Sequence, residues 1–230
     1  MKNLFMKKLF VPLTVVMSLC FLGTQAQKSS DAGVSFGIRA GVNFQNITGK
    51  DNDGNKLDYK MKTGFHVGLN AEIPITEQLF FQPGLLFSTK GAKYNNDGTG
   101  SINLSYLELP LNVIYKHPVG SGHLLVGVGP YLAYGIGGKL KYSNTGTEID
   151  KDITFKNSVS PTDYIANFGA YFKPLDYGLN TLVGYEFSEN LSVQLNGQFG
   201  FANNIPDIEG FTTDAKAKNT GFGISFGYRF

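Results

Sequence analysis

Three histidines, His66, His117 and His123, are the residues of this 230-residue chain best suited to moving a proton. A hydrolytic centre would need one of them beside a serine and a carboxylate, with a donor aimed at the developing oxyanion. A lone histidine at an inward position is more often simply hydrogen-bonded. Asp51, Asp53 and Asn55 have the alternating spacing of a calcium loop. The helix–loop–helix form of that loop requires glycine just after the third ligand and glutamate at its end, and this chain has Lys56 and Lys62 there. Gly135 to Gly138 has no helix after it and cannot cradle a phosphate. The one cysteine, Cys20, lies in an apolar leader, so thiol catalysis and disulfides have no residue to work with in the rest of the chain. No catalytic, cofactor-binding or metal-binding residue is therefore assigned. The chemistry that remains is a set of charges recurring at positions of one parity: Arg39, Glu72, Lys90, Glu108, Lys116, Glu186 and Arg229.

The elements that must position them are strands. From Gly221 to Phe230, every even position is large and apolar, and every odd one is Gly, Ser or Arg. Successive side chains of a strand point to opposite faces, so this is a two-faced strand with an aromatic-rich apolar side. The pattern recurs from Val34 to Phe44, Phe65 to Ile75, Phe81 to Phe87, Leu107 to Tyr115, Leu124 to Tyr134, Tyr177 to Phe187 and Leu191 to Phe201. In the fourth strand Ile102, Leu104 and Tyr106 read as out of phase, which predicts a bulge near Tyr106 or a strand top that has left the apolar surroundings. Connections alternate between long polar loops and tight turns. The region from Lys141 to about Leu175 is the longest irregular stretch. Eight strands of about nine to eleven two-faced residues, joined this way, predict an all-β, eight-stranded antiparallel up-and-down transmembrane β-barrel.

Met1 to Ala26 has a basic start at Lys2, Lys7 and Lys8, an apolar run from Leu9 to Leu22, and small residues at Thr24 and Ala26. It reads as a cleaved signal peptide, with cleavage before Gln27 and a single barrel domain over 27–230. Without those three lysines the chain carries 17 basic against 18 acidic residues, which gives no case for nucleic acid.

A soluble barrel would bury its apolar face and carry charge outside. Here the opposite face is mostly Gly, Asn, Gln and Ser, which suits a narrow bore better than a solvated exterior. Aromatics gather at both strand ends: Phe81, Tyr115, Phe187 and Phe230 at the short-turn rim, and Phe44, Tyr134, Tyr177 and Phe201 at the long-loop rim. The inward charges then belong to a structural cluster of Arg39, Glu72, Glu108, Glu186 and Arg229. It is expected to centre on Arg39, Glu72 and Glu108, because unpaired charges in a bore are costly.

Several segments resemble the PorT-like outer-membrane β-barrel domain. They are 81–91 (Phe-Gln-Pro-Gly-Leu-Leu-Phe-Ser-Thr-Lys-Gly), 106–111 (Tyr-Leu-Glu-Leu-Pro-Leu), 176–179 (Asp-Tyr-Gly-Leu), and the Gly-Tyr-Glu-Phe and Gly-Tyr-Arg-Phe motifs at 184–187 and 227–230. The resemblance implies the fold and an outer-membrane site but no active site, and the alternation of short and long connections predicts that both termini are periplasmic. PorT itself is implied in protein secretion. The expected role is non-enzymatic: a monomer with a plugged polar lumen, acting in envelope structure or in binding a surface or secretion partner through exterior loops, above all 141–175. Outer-membrane lipids, lipopolysaccharide included, are the expected surroundings, with no cofactor. The alternatives are a small-solute channel and a lipid A-modifying barrel enzyme, for which His66 is the sole histidine near the outer rim.

Overall fold

The alternation closes into a cylinder in the computed structural model, which describes residues 33–95, 99–144, 147–187 and 190–230. The expected signal peptide and its cleavage site lie outside the described residues. The staves are β1 (Ser35–Lys50), β2 (Tyr59–Pro74), β3 (Leu79–Tyr94), β4 (Thr99–Val119), β5 (Gly122–Asn144), β10 (Leu175–Glu186), β11 (Leu191–Gly200) and β13 (Lys216–Arg229). Each is antiparallel to its neighbour, β5 pairs with β10, and β13 returns to β1, so the eight staves leave no open edge between them. No described helix is long and apolar enough to cross a membrane.

The residues sort by parity as the sequence predicts. On β13, Phe222, Ile224, Phe226 and Tyr228 are 50, 40, 60 and 48% exposed, while Gly223 and Ser225 are buried. The same inversion runs through Val67, Leu69, Val126, Val128, Leu132, Val183 and Leu195, all outward and exposed. An apolar belt of this size around a polar interior is stable only in apolar surroundings.

The apolar core lies inside the cylinder, at its long-loop end. Ile47, Ala92, Ile102, Leu104, Tyr106 and Tyr131 of the staves pack there with Ile153 and Ala170. This core explains the apolar run at the top of β4, and the irregularity expected near Tyr106 accompanies it. Ile102, Leu104 and Tyr106 are buried in phase with Glu108, and no reversal occurs. They are apolar because that part of the bore is filled by apolar side chains. The irregularity at Tyr106 is present, but the extra residue is Ile136 of β5, between the pairs Ser105–Gly137 and Tyr106–Gly135.

The stretch from Lys141 to Leu175 is also more ordered than expected. β6 (Thr147–Asp152) extends the sheet beside β5, and β7 (Thr154–Phe155) pairs in parallel with β9 (Tyr171–Phe172). β8 (Ser158–Val159) pairs with β12 (Asp207–Ile208) from the loop before β13. Between β8 and β9 lies α1 (Pro161–Ala166), whose N-cap Ser160 Oγ accepts from the Asp163 amide. This cap sits on the mouth through Ile153, Ala170 and Phe155. Phe155 lies against Gly135, where an added Cβ would come within 2.3 Å of the ring, and its ring meets Tyr106 edge-on at 5.8 Å.

Candidate functional site

Three polar layers fill the bore beneath the cap. The lowest, at the short-turn end, takes Glu72 from β2, Lys116 from β4, Glu186 from β10 and Arg229 from β13. Lys116 Nζ donates to Glu72 Oε1 at 2.7 Å and to Glu186 Oε2 at 2.9 Å. Arg229 closes the ring, pairing with Glu72 and, at 3.1 Å, with Glu186 Oε1. Two cations and two carboxylates thus neutralise one another where solvation is poor, the arrangement in which buried charge is tolerable. The partly exposed His123 Nδ1 lies 3.6 Å from Glu186 Oε1 at the rim.

The middle layer is made of neutral groups and Arg39. Arg39 Nη2 donates to Gln82 Oε1 at 2.6 Å, and Gln82 Nε2 reaches Glu72 Oε2 at 3.4 Å. His66 Nδ1 is 2.7 Å from Asn43 Oδ1, and its Nε2 is 2.8 Å from Ser225 Oγ. Asn43 Nδ2 donates to Ser88 Oγ at 3.3 Å, which leaves Asn43 Oδ1 to accept from His66 Nδ1–H. His66 Nε2 is then the acceptor for the Ser225 hydroxyl. The order is serine, histidine, amide, as in a hydrolytic triad. But the third member is not an acid, Ser225 has no exposed surface, its Oγ also accepts from Asn196 Nδ2, and the group faces the bore, away from the apolar belt.

The upper layer holds Lys90, buried to 1% exposure. Its ammonium lies 2.9 Å from Glu108 Oε2 and 3.1 Å from Asp176 Oδ2, over the Tyr131 ring at 4.2 Å. Asn219 Nδ2 donates to Asp176 Oδ2 at 2.9 Å, and Gln198 Nε2 donates to Glu108 Oε1 at 2.9 Å.

Of the five residues expected to cluster, Glu72, Glu186 and Arg229 share the lowest layer and Glu108 belongs to the upper one. Arg39 stands between, and among the described residues it makes no direct ion pair with Glu72 or Glu108; Gln82 mediates its contact with Glu72. The expected centre on Arg39 is therefore replaced by two centres, Lys116 and Lys90. Asp176 is the residue that parity could have found and the sequence reading left out. It is two positions above Gly178, on the same inward face of β10, but it falls at the edge of the stretch taken for a loop.

Between the layers little space remains, and the short-turn mouth opens below the lowest one into a space of about 860 Å³ bordered by Glu72, Lys116, Glu186 and Arg229. A void of about 50 Å³ is bordered by Arg39, Asn43, His66, Glu108, Asn112 and Gln198, and a second of about 30 Å³ by Arg39, Gln82, Lys116 and Gln194. A water needs about 10–15 Å³ on this measure, so these voids hold a few waters each and no larger solute. Arg39 separates them. At the long-loop end, Asp51 Oδ1 accepts from the amides of Asp53 and Asn55, closing a turn in the exposed β1–β2 loop. Desolvation is the largest single influence and raises its carboxyl, but hydrogen bonds from Asn55, Asp53 and Gly54 together outweigh it and hold it below its ordinary value.

An outward apolar belt, a neutralised polar bore and alternating short and long connections define an up-and-down barrel of the bacterial outer membrane. The family described as "Outer membrane protein beta-barrel domain" matches residues 25–205, and the chain belongs to that family. No curated protein matches it. Among solved structures, it is similar to neisserial surface protein A, at 14% identity over 86% of this chain and 99% of the other, TM-score 0.44. It is also similar to Ail, the attachment invasion locus protein of Yersinia pestis, at 16% identity over 86% and 99%, TM-score 0.39. The outer membrane protease OmpT of Escherichia coli is similar at 11% identity over 88% and 99%, TM-score 0.39.

Proposed function

We propose that this protein is a non-enzymatic outer-membrane barrel whose work is done by its cap, through contact with a partner at the cell surface. The observation that carries this is the contrast between the two ends of the long-loop mouth's filling. The bore below is closed by ion pairs and apolar side chains, whereas the cap above presents Ile165 at 75% and Phe168 at 57% exposure. Phe168 also has φ 51°, a left-handed backbone conformation unfavourable for a bulky side chain. Strain held at an exposed aromatic is a feature of recognition sites rather than of packing. The Lys151 ammonium lies 5.6 Å from the Phe168 ring and adds a cation to the same patch.

The His66–Ser225–Asn43 chain supports this reading better than an enzymatic one, because it braces β1, β2 and β13 from within and meets no lipid. The two small voids likewise favour a plug over a solute channel. The PorT-like segments quoted above support a place among barrels that serve secretion or surface assembly, with the long loops outside and the short turns in the periplasm. The test is photo-crosslinking on living cells from residues placed at 165 and 168, with the same probe at 119 as the control. A partner captured from the cap and not from Val119 supports the proposal. Labelling that is equal at both positions, or absent at the cap, overturns it.

A further inference from the structure

The outer face of the long-loop end carries lysines in an arrangement that the bore and the cap do not explain. The β2–β3 register sets Lys60 directly opposite Lys93, and the β1–β13 register sets Lys50 directly opposite Lys216. All four are exposed, and among the described residues none has an acidic side chain within ion-pair reach. Like charges directly opposite across a ladder destabilise it. At the short-turn end, by contrast, Lys116 and Arg229 turn into the bore, and no described lysine or arginine faces outward. Lys139 and Lys141, on β5 beyond the intervening β4, are already balanced by Asp150 and Asp152 at 3.4–3.7 Å.

The height of the pairs narrows their counter-charge. Lys50, Lys216 and Lys93 each lie six positions beyond the last outward aromatic of their strand, Phe44, Phe222 and Phe87. At about 3.3 Å per residue and a tilt of about 40°, that is about 15 Å above the aromatic rim. A phospholipid headgroup layer is only about 5–8 Å thick on each side. A phospholipid phosphate therefore sits too low, and only a lipid whose anionic groups stand on a tall sugar headgroup reaches the lysines.

We propose that Lys60–Lys93 and Lys50–Lys216 form a collar that binds the phosphorylated sugar headgroup of a glycolipid in the outer leaflet. This rests on the reading that the long loops face the cell exterior. The geometry suits a polyanion: each pair offers two ammonium groups to one phosphate, and Ser101, opposite Lys93 on β4, adds a hydroxyl.

The test uses the full barrel in nanodiscs of zwitterionic lipid doped with lipid A carrying its phosphorylated core sugars or, in a parallel arm, with phosphatidylglycerol. Native mass spectrometry counts the lipids retained. Each of the double variants Lys60→Gln/Lys93→Gln and Lys50→Gln/Lys216→Gln should bind the glycolipid about thirtyfold more weakly, at about fivefold per lysine near a charged lipid surface. The variant Lys139→Gln/Lys141→Gln removes as many charges but should lose less than about threefold, since Asp150 and Asp152 already neutralise them. Equal retention of phosphatidylglycerol, undiminished binding by both collar variants, or an equal loss in the Lys139/Lys141 variant overturns the collar. Folding is checked by heat-modifiable migration. An epitope inserted at 211, stained on intact cells, tests the orientation separately: no staining refutes the orientation and leaves the nanodisc result to stand on its own.

Discussion

Replacing Lys116 by methionine should be among the most destabilising single changes in the barrel. The ammonium touches two carboxylates at 2.7 and 2.9 Å, and its side chain is 5% exposed. At an effective dielectric of about 20, each contact is worth about 6 kcal/mol of attraction, most of it offset by the desolvation of three ions. Methionine fills the same volume but leaves Glu72 and Glu186 sharing Arg229 alone. Breaking a buried pair from one side costs about 3–5 kcal/mol. The chain has no tryptophan, so the assay is urea titration in detergent followed by circular dichroism and by the gel shift of the folded barrel. A second variant, Lys116→Met with Glu186→Gln, restores neutrality and should recover at least about 2 kcal/mol of the loss. A cost below about 1 kcal/mol for Lys116→Met, or no recovery in the double variant, would refute the reasoning that the lowest layer is a mutually compensating ring.

Other outcomes follow from the same structure. Gly135→Val should drive Phe155 off β5, so hydrogen exchange over 153–172 should rise at least tenfold while the staves stay protected; unchanged exchange there would show that the cap does not depend on this close approach. Phe168→Gly should be neutral or stabilise by about 1 kcal/mol, because glycine accepts the left-handed backbone, and it should weaken cross-linking at the cap; a clear loss of stability would contradict the strain argument. Planar bilayers holding verified inserted barrel should stay electrically silent, and discrete conductance steps would disprove a plugged bore. Asp51 should titrate below its model-peptide midpoint by carbon-detected NMR. Its carboxyl is depressed in the folded loop, so its turn contributes above the ordinary carboxylate range and is lost as pH falls through the lowered midpoint.

What could be read in the sequence was whatever strand parity determines. Phe222 to Phe230 declared its outward face, and Glu72, Glu108, Glu186 and Arg229 declared their inward one, because a two-residue period is local. Height along the bore is not local. Arg39 sits opposite Gly68 and Gly227, whereas Glu72 sits opposite Ser35, four positions lower on β1, and only the stagger between strands reveals it. The expected Arg39 centre failed for that reason. For Ile102, Leu104 and Tyr106 the pattern left a bulge and a strand top beyond the lipid both open, because their partners, Ile153 and Ala170, lie far off in the chain and come back over the mouth only in three dimensions.

Arg229 belongs to β13, the stave that seals the cylinder against β1, and its guanidinium supplies half of the positive charge in the lowest layer. Until that seam zips, Glu72 on β2 has Lys116 alone, while Arg229 stands on the same side of the seam as Glu186. Zipping the seam and completing the pairing of Glu72 are one event, so an unfinished or misaligned cylinder leaves that carboxylate short of a cation that only correct docking supplies.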